Sequence, residues 1–291
     1  MVDYFQGSPV LVNAATTLSG IQELSYRPNI GRIKPRSDGR AVHCLITEGQ
    51  VAPAVELSTL NLAQVHSLMA TSGELPYVAL TGFDWYERKV ADAAPTFAAG
   101  SVHEKAAAIL GTLFFTGLDC NANDAARISL SALFANSTGS THPVTFTQAA
   151  VLTDPLTIAP FTLDSVTIDG TDIPEVESVS IRAAVTVQTE FGMKPYPRIV
   201  RPRFVDWSIS VRHNNKVIQR TKTDKSAAIA VVLKSLNTGG PTRGTGTSTW
   251  TVTGLLTNDG GGQGQDNSQM TSMVEGRHDG SNQPATWSYS A

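Results

Sequence analysis

The sequence predicts a mainly β protein, because two long stretches alternate apolar and polar residues with a period of two. In one, Val179, Ile181, Ala183, Val185, Val187 and Thr189 share a face, and Ser178, Ser180, Arg182, Thr186, Gln188 and Glu190 share the other. In the next, Val205, Trp207, Ile209 and Val211 oppose Asp206, Ser208 and Ser210. Successive side chains of an extended strand point to opposite faces, so runs this long read as strands with one buried face. Turn chemistry brackets the first run, with Asp169-Gly170 before it and Glu190-Phe191-Gly192 after it. Pro195 and Pro197 donate nothing to a ladder and belong at an edge or a crossing.

Composition narrows the function. The 291 residues make one large β domain or two of ordinary size. Charged residues are 16%, against ~25% in average soluble domains, so Ser, Thr, Asn and Gln must supply much of the polar surface. A formal charge of −3 argues against gripping nucleic acid through a basic face, and leaves open a wall along which nucleic acid passes without sticking. Cys44 and Cys120 are no disulfide framework, and two free thiols are expected. No apolar run is long enough to span a membrane, and the N-terminal residues lack a signal-peptide pattern.

In order along the chain, residues 1–16 read as an arm with little structure of its own. Ile21–Arg27 is a strand candidate, followed by a basic, turn-rich loop holding Arg32, Lys34, Arg36 and Arg40. Val42–Ile46 resumes strand character. Over Thr59–Met69 the period changes: Leu62, Val65 and Met69 lie three and four apart, which predicts a short helix. Val78–Lys89 is a strand. Ser101 and Glu104 form a capping box, and Val102, Ala106, Ile109, Leu110 and Leu113 make a stripe, so a second helix is expected there, with a strand as the alternative from Phe114-Phe115. Ala126–Phe134 and Val144–Val151 read as strands, and the Thr- and Pro-rich run near Asp154-Pro155 and Ala159-Pro160 as the internal boundary. Three regions result: an arm over 1–16, a first half over 17–160 and a second over 161–291.

Within the second half, Asn214-Asn215 predicts a hairpin turn. Asp224 is placed to cap a helix through Ile229, Val232, Leu233 and Leu236, one whose β-branched residues require packing to hold it. Thr247–Leu256 alternates as a strand, residues 257–283 read as a long Gly/Gln-rich loop, and Thr286–Tyr289 as an edge strand. Ile21–Arg27 (IQELSYR) also lines up with Val176–Arg182 (VESVSIR), and in each half a helix candidate follows, which suggests two tandem units.

No catalytic or metal constellation stands out. Asp119-x-Asn121-x-Asn123 opens like a calcium loop, but Asp124 replaces the turn glycine and Leu130 the bidentate Glu. His43 beside Cys44 lacks a second ligand pair, His103 reads as a packing or surface residue, and residues 239–246 lack the Lys-Ser/Thr pair of a phosphate cradle. Asn136-Ser137-Thr138 fits a glycosylation acceptor, and Phe83-Asp84-Trp85-Tyr86 is the one aromatic-acid cluster of the kind sugars stack on. No cofactor, metal or enzymatic activity is expected.

The stretch SVTIDGTDIPEVESVSIRAAVTVQTEFGMKPYPRIVRPRFVDWSISV resembles the major tail tube proteins of long-tailed bacteriophages. The resemblance lies in the succession Val166–Ile168, Asp169-Gly170, Val176–Thr189, Glu190-Phe191-Gly192 and Pro195/Pro197; Gly39–Leu68, with Pro53 before Val55–Thr59, has the same character. It covers about a third of the chain. It implies a tail-tube-like β-sandwich or barrel with short flanking helices, six copies per ring (or three of a duplicated chain), and rings stacked into a tube that passes DNA. The polar face with Glu177, Arg182, Gln188 and Glu190 would line the lumen, although alternation gives two faces without naming the inner one. Arg32, Lys34, Arg36 and Asp266 would lie at contacts between rings. Tail terminator, tape measure and tail tip proteins would be partners, and the place of action would be the virion tail, assembled in the host cytoplasm. The rival readings are another virion or baseplate β-protein, a carbohydrate-binding β-sandwich and an unrecognised enzyme.

Overall fold

The computed structural model describes residues 4–7, 10–33, 47–69, 75–90, 103–149, 160–214, 225–237, 242–259, 270–278 and 283–291. The chain opens with β1 (Tyr4–Gly7), β2 (Val10–Val12), β3 (Thr16–Leu18), β4 (Ile21–Arg27), β5 (Ile30–Ile33), β6 (Thr47–Val51) and β7 (Ala54–Thr59). Helix α1 (Leu62–Met69) follows, then β8 (Tyr77–Leu80), β9 (Phe83–Val90), β10 (His103–Ala108), β11 (Leu110–Asn121), β12 (Arg127–Ala135) and β13 (Val144–Ala149). The remainder holds β14 (Phe161–Ile168), β15 (Thr171–Asp172), β16 (Val176–Glu190), β17 (Ile199–His213), β18 (Lys225–Leu236), β19 (Arg243–Asp259), β20 (Met270–Gly276) and β21 (Ala285–Ser290).

The fold is mainly β, as expected. A 13-stranded sheet runs β4-β7-β12-β11-β16-β17-β20-β19-β18-β14-β15, with β8 beside β11 and β21 beside β19. A 6-stranded sheet runs β13-β10-β9-β2-β3 with β1 on β9, β5 and β6 pair with each other, and among the described residues no sheet closes into a barrel. The alternation that marked the long strands buries Val179, Ile181, Ala183, Trp207, Ile209 and Val211 in one core. Over that face β19 turns a corner, so that Trp250 lies 5.1 Å from Phe115 of β11. Along the sheet the two strands are four steps apart, which would separate them by ~19 Å if it were flat. Trp287 of β21 completes the cluster, 5.9 Å from Trp250 and 5.7 Å from Trp207. At the other end of the sheet, Trp85 of β9 stacks on Phe134 of β12 at 5.8 Å.

The same pairing path occurs twice. The later strands follow β16-β17-β20-β19-β18-β14-β15. The earlier ones follow β4-β7-β12-β11, continue past a one-residue break at Ile109 into β10, and proceed through β9, β2 and β3. The registers agree. Val12, Phe83, Ala108 and Val144 stand in one cross-strand row, and Ile168, Ile229, Val252 and Ala285 form its counterpart. All eight are buried. Two adjacent left-handed residues turn each first hairpin, Asn13-Ala14 and Asp169-Gly170, and their first amides donate to Gly82 (2.8 Å) and Ala228 (2.9 Å) respectively. The sequence echo falls on these equivalents: β4 and β16 each carry a bulge at the second residue, Gln22 and Glu177.

Several expectations are corrected. The helix expected from Asp224 to Leu236 is strand β18, since Ala227, Ile229, Val231 and Leu233 are buried at a period of two between β14 and β19. With it goes the matching helix in the second half; among the described residues only α1 is helical, so flanking helices in the plural are not seen. The capping-box helix is likewise replaced by β10 and β11. Ala106 and Ala108 pack inside the sheet, whereas Ile109, a member of the supposed stripe, is 67% exposed at the corner. The proposed arm contains β1 and β2 and reaches the start of β3, with Val10 and Val12 in the core. The supposed loop at 257–283 begins within β19 and contains β20, a strand paired on both sides.

Other expectations hold. α1 buries Leu62, Val65 and Met69 as its spacing required, and Asn61 caps it by accepting the Gln64 amide at 3.2 Å. Pro195 and Pro197 lie off the ladder, as their missing amides require, but in the turn joining β16 and β17 rather than at an edge or a crossing. The strand expected at Val42–Ile46, the Asp154-Pro155 boundary and the turn residue Asn215 lie outside the described residues.

Candidate functional site: the polar face of the large sheet

Opposite the core face, the large sheet presents a polar surface across eight neighbouring strands, from β19 through β20, β17, β16, β11, β12 and β7 to β4. The registers place Ser178, Ser180 and Arg182 beside Arg212, Ser210 and Ser208, and on the other side beside Asn121, Asp119 and Gly117. Ser129 and Ser131 of β12 continue the rows into Ser58 and Glu56 of β7, and these into Glu23 and Ser25 of β4. A concavity of about 390 Å³ opens there, lined among others by Glu23, Arg27, Glu56, Thr116 and Ser131.

Three arginines on this face are paired with acids, while Arg127, opposite Asp119, and Glu275, opposite Ser208, are exposed on it. Arg182 Nη2 donates to both carboxylate oxygens of Asp119, at 2.7 and 2.9 Å. Gly117 makes room for it, since a Cβ there would stand 2.5 Å from Arg182 Nη1. Glu177 meets Arg212 at 3.2 Å, and Arg27 meets Glu56 at 2.8 Å. The bulge explains how Glu177 joins a face that strict alternation would deny it: the extra residue leaves Ser178 opposite Arg212. These pairs are half exposed, so each contributes only ~0–1 kcal/mol to stability. Their main consequence is a surface on which three arginines are neutralised.

Gln188 and Glu190 lie elsewhere. β11 covers β16 only over Ser178–Arg182, and β20 covers β17 only over Ser208–His213, so the outer parts of β16 and β17 continue as a two-stranded ribbon. Gln188 and Glu190 sit on it, with Arg203 Nε donating to Gln188 Oε1. The ribbon's surroundings are basic, because Lys194, Arg198, Arg201 and Arg203 are exposed on it against Glu190 and Asp206. Its tip is fastened to the first half: the Val51 amide donates to the Pro195 carbonyl at 2.9 Å and the Asn136 amide to that of Pro197 at 2.8 Å. Met193 (100% exposed) and Phe204 (67%) are its open apolar residues. Arg32 is exposed on β5, while Lys34, Arg36 and Asp266 lie outside the described residues.

Among the described residues, His66, His213 and Cys120 are buried and serve packing. Trp250 Nε1 donates to Ser248 Oγ at 2.9 Å, which leaves the serine hydrogen for His66 Nε2 at 2.8 Å. Burial lowers the pKa of His66 to about 4 and keeps it neutral. His213 is buried against Ser272 at 2.9 Å, and its pKa is also lowered by burial. The Cys120 thiol is pushed up to about 11, mainly by burial, which makes it a packing residue. No group of three or more His, Cys, Asp or Glu side chains among the described residues is arranged to hold a metal ion. Phe83, Trp85 and Tyr86 are buried, so that cluster offers no exposed ring for a sugar.

Sequence reasoning found Glu177 and Arg182 but missed their partners Arg212 and Asp119, and all of β4, β7 and β12 as parts of the same surface. The alternation Ile128-Ser129-Leu130-Ser131 was the available signal for β12. No protein-family model matches the chain, and no curated protein matches it.

Proposed function

We propose that this protein is a structural subunit that self-assembles into stacked rings, forming a phage tail tube through which DNA passes. The observation that supports the reading is the wide polar sheet face, rich in serine and with Arg27, Arg182 and Arg212 held by acids. A wall for DNA passage must not neutralise phosphates, since each such contact adds salt-dependent affinity and would hold the strand. Paired charges and hydroxyls meet that requirement. Glu177 and Arg182 belong to this lining in the proposed tube; Gln188 and Glu190, expected in it from the sequence, stand on the basic ribbon beside Arg201 and Arg203 and are left out of it.

In this reading each set of strands is a tail-tube-like sandwich, and two tandem sandwiches in one chain make a ring of three copies pseudo-six-fold. Arg32, Lys34, Arg36 and Asp266 are assigned to contacts between rings. Tail terminator, tape measure and tail tip proteins would cap and fill the tube, within a virion tail assembled in the host cytoplasm. No catalysis or cofactor is invoked. Negative-stain electron microscopy and light scattering on concentrated protein test the proposal. Rings or tubes are expected, and a monodisperse monomer that never polymerises on long incubation would overturn it.

A further inference from the structure

The repeated pairing path sets up two equivalent cross-strand rows on the polar face, and they treat charge differently. In the second path the row reads Ser178, Arg212 and Thr271 across β16, β17 and β20. It carries its own cation, since the Arg212 guanidinium meets Glu177 at 3.2 Å. In the first path the equivalent row reads Glu23, Ser58 and Ser129 across β4, β7 and β12. The bulge at Gln22 sets Glu23 opposite Ser58. Serine thus stands where the other set has arginine, and among the described residues Glu23 meets no cation. All three residues of this row line the concavity of about 390 Å³ on the polar face. Ser58 is only 7% exposed, and its buried Oγ has no hydrogen-bond partner. Burying a hydroxyl unpaired is unfavourable, so an orphan in the wall of a cavity points to a group that arrives from outside.

We infer that this row binds a primary ammonium group on an aliphatic chain, the chemistry shared by polyamines and lysine side chains. An ammonium has three N–H donors and no acceptor. The Glu23 carboxylate, Ser58 Oγ and Ser129 Oγ accept one each, with Ser58 between the other two. Directly opposed residues of neighbouring strands stand ~5 Å apart at Cβ, which suits a cradle for a group of that size. Leu57, Phe114 and Leu130 also line the concavity and give the methylenes that carry the ammonium an apolar wall. The nearby arginines leave Glu23 to the ligand: Arg27 is held by Glu56 at 2.8 Å, and Arg127 stands opposite Asp119. A neutral sugar would bring no countercharge to that carboxylate, and an anion would be repelled by it. The site does not depend on the tube reading and can be measured whether or not the chain assembles.

Isothermal titration calorimetry on the full chain in phosphate buffer, with 1,4-diaminobutane as the probe, tests the site. Saturable binding of the diamine is expected, whereas tetramethylammonium, a cation without N–H donors, should not bind. Glu23→Gln and Ser58→Ala should each weaken the diamine about tenfold or more, the scale of one hydrogen bond to a charged group. Ser58→Ala removes a hydroxyl that has no partner, so circular dichroism melts should show a fold at least as stable as the parent. Lost binding in that variant is then not lost structure. A capped pentapeptide with one central lysine separates the two sources. Its binding assigns the site to a lysine of a polypeptide, binding of the diamine alone assigns it to a free polyamine, and either supports the inference. Equal binding of tetramethylammonium, unchanged affinity in either variant, a preference for maltose over the diamine, or no binding of any probe overturns it.

Discussion

The two sets of strands share one pairing path but turn its corner by different means, and the contrast separates what the path needs from what it tolerates. In the first set the corner strand is interrupted at Ile109, and Leu110 and Ala135 face each other beyond the break. In the second, β19 runs through the corner unbroken, and the equivalent positions are Gly254 and Gly276. A Cβ on Gly254 would collide with the Glu275 carbonyl oxygen, and one on Gly111, just past the break, with that of Leu133, so both corners close backbone to backbone and differ in the break itself. The first hairpins differ similarly: Asn13-Ala14 forces an alanine to φ 52°, where Asp169-Gly170 uses a glycine at φ 73°. The registers survive both differences because the buried rows, not the connections, fix the sheet.

The largest effect should come from the unbroken corner. Gly254→Ala has no space to relax into and should cost more than ~3 kcal/mol, whereas Ile109→Ala, at the exposed corner of the other set, should change stability by less than ~0.5 kcal/mol. Urea melts of the two variants provide the measurement. Comparable losses would mean that the exposed break at Ile109 carries its corner as fully as Gly254 carries the other, and that the contrast is wrong.

A second effect concerns the helix, which belongs to the first set but packs on the second. His66 of α1 touches Ser248, Trp250 and Tyr289. Its folded pKa lies near 4, below the 6.5 of the unfolded chain, so the neutral form is the one the fold holds. Stability is then complete above pH 6.5, declines as acid protonates the unfolded chain, and levels off near pH 4. The contribution reaches up to about 3 kcal/mol. His213, lowered in the same direction, adds to the slope. Melts at stepped pH should show this loss, and His66→Gln should flatten it. An unchanged slope in that variant would place the acid sensitivity elsewhere.

The smallest expected change is in the hairpins. Ala14→Gly should stabilise by ~1 kcal/mol and Gly170→Ala should cost about as much, since the left-handed region is open to glycine and strained for alanine. No atom lies within 4 Å of a Cβ at Gly170, so the second change reads the backbone alone. Thermal melts of the pair should shift in opposite directions. Shifts of the same sign would show that the two turns are not equivalent.

By itself, the sequence determined the β class, the two long strands, the short helix and the polar face of β16, because a period of two or of 3.6 is written in neighbouring residues. It also carried the echo between Ile21–Arg27 and Val176–Arg182. Tertiary structure decided the rest. β18 is a strand although a cap and a helical stripe can be read across it, because flanking strands supply the hydrogen bonds and burial that local preference cannot. β20 becomes a central strand within a segment whose composition reads as a loop, because its neighbours β17 and β19 receive it on both sides. The bulge that brings Glu177 to Arg212 and the β11–β16 pairing that brings Arg182 to Asp119 depend on register between strands up to 63 residues apart. Register is a property of paired chains, and alternation within one strand states only that two faces exist.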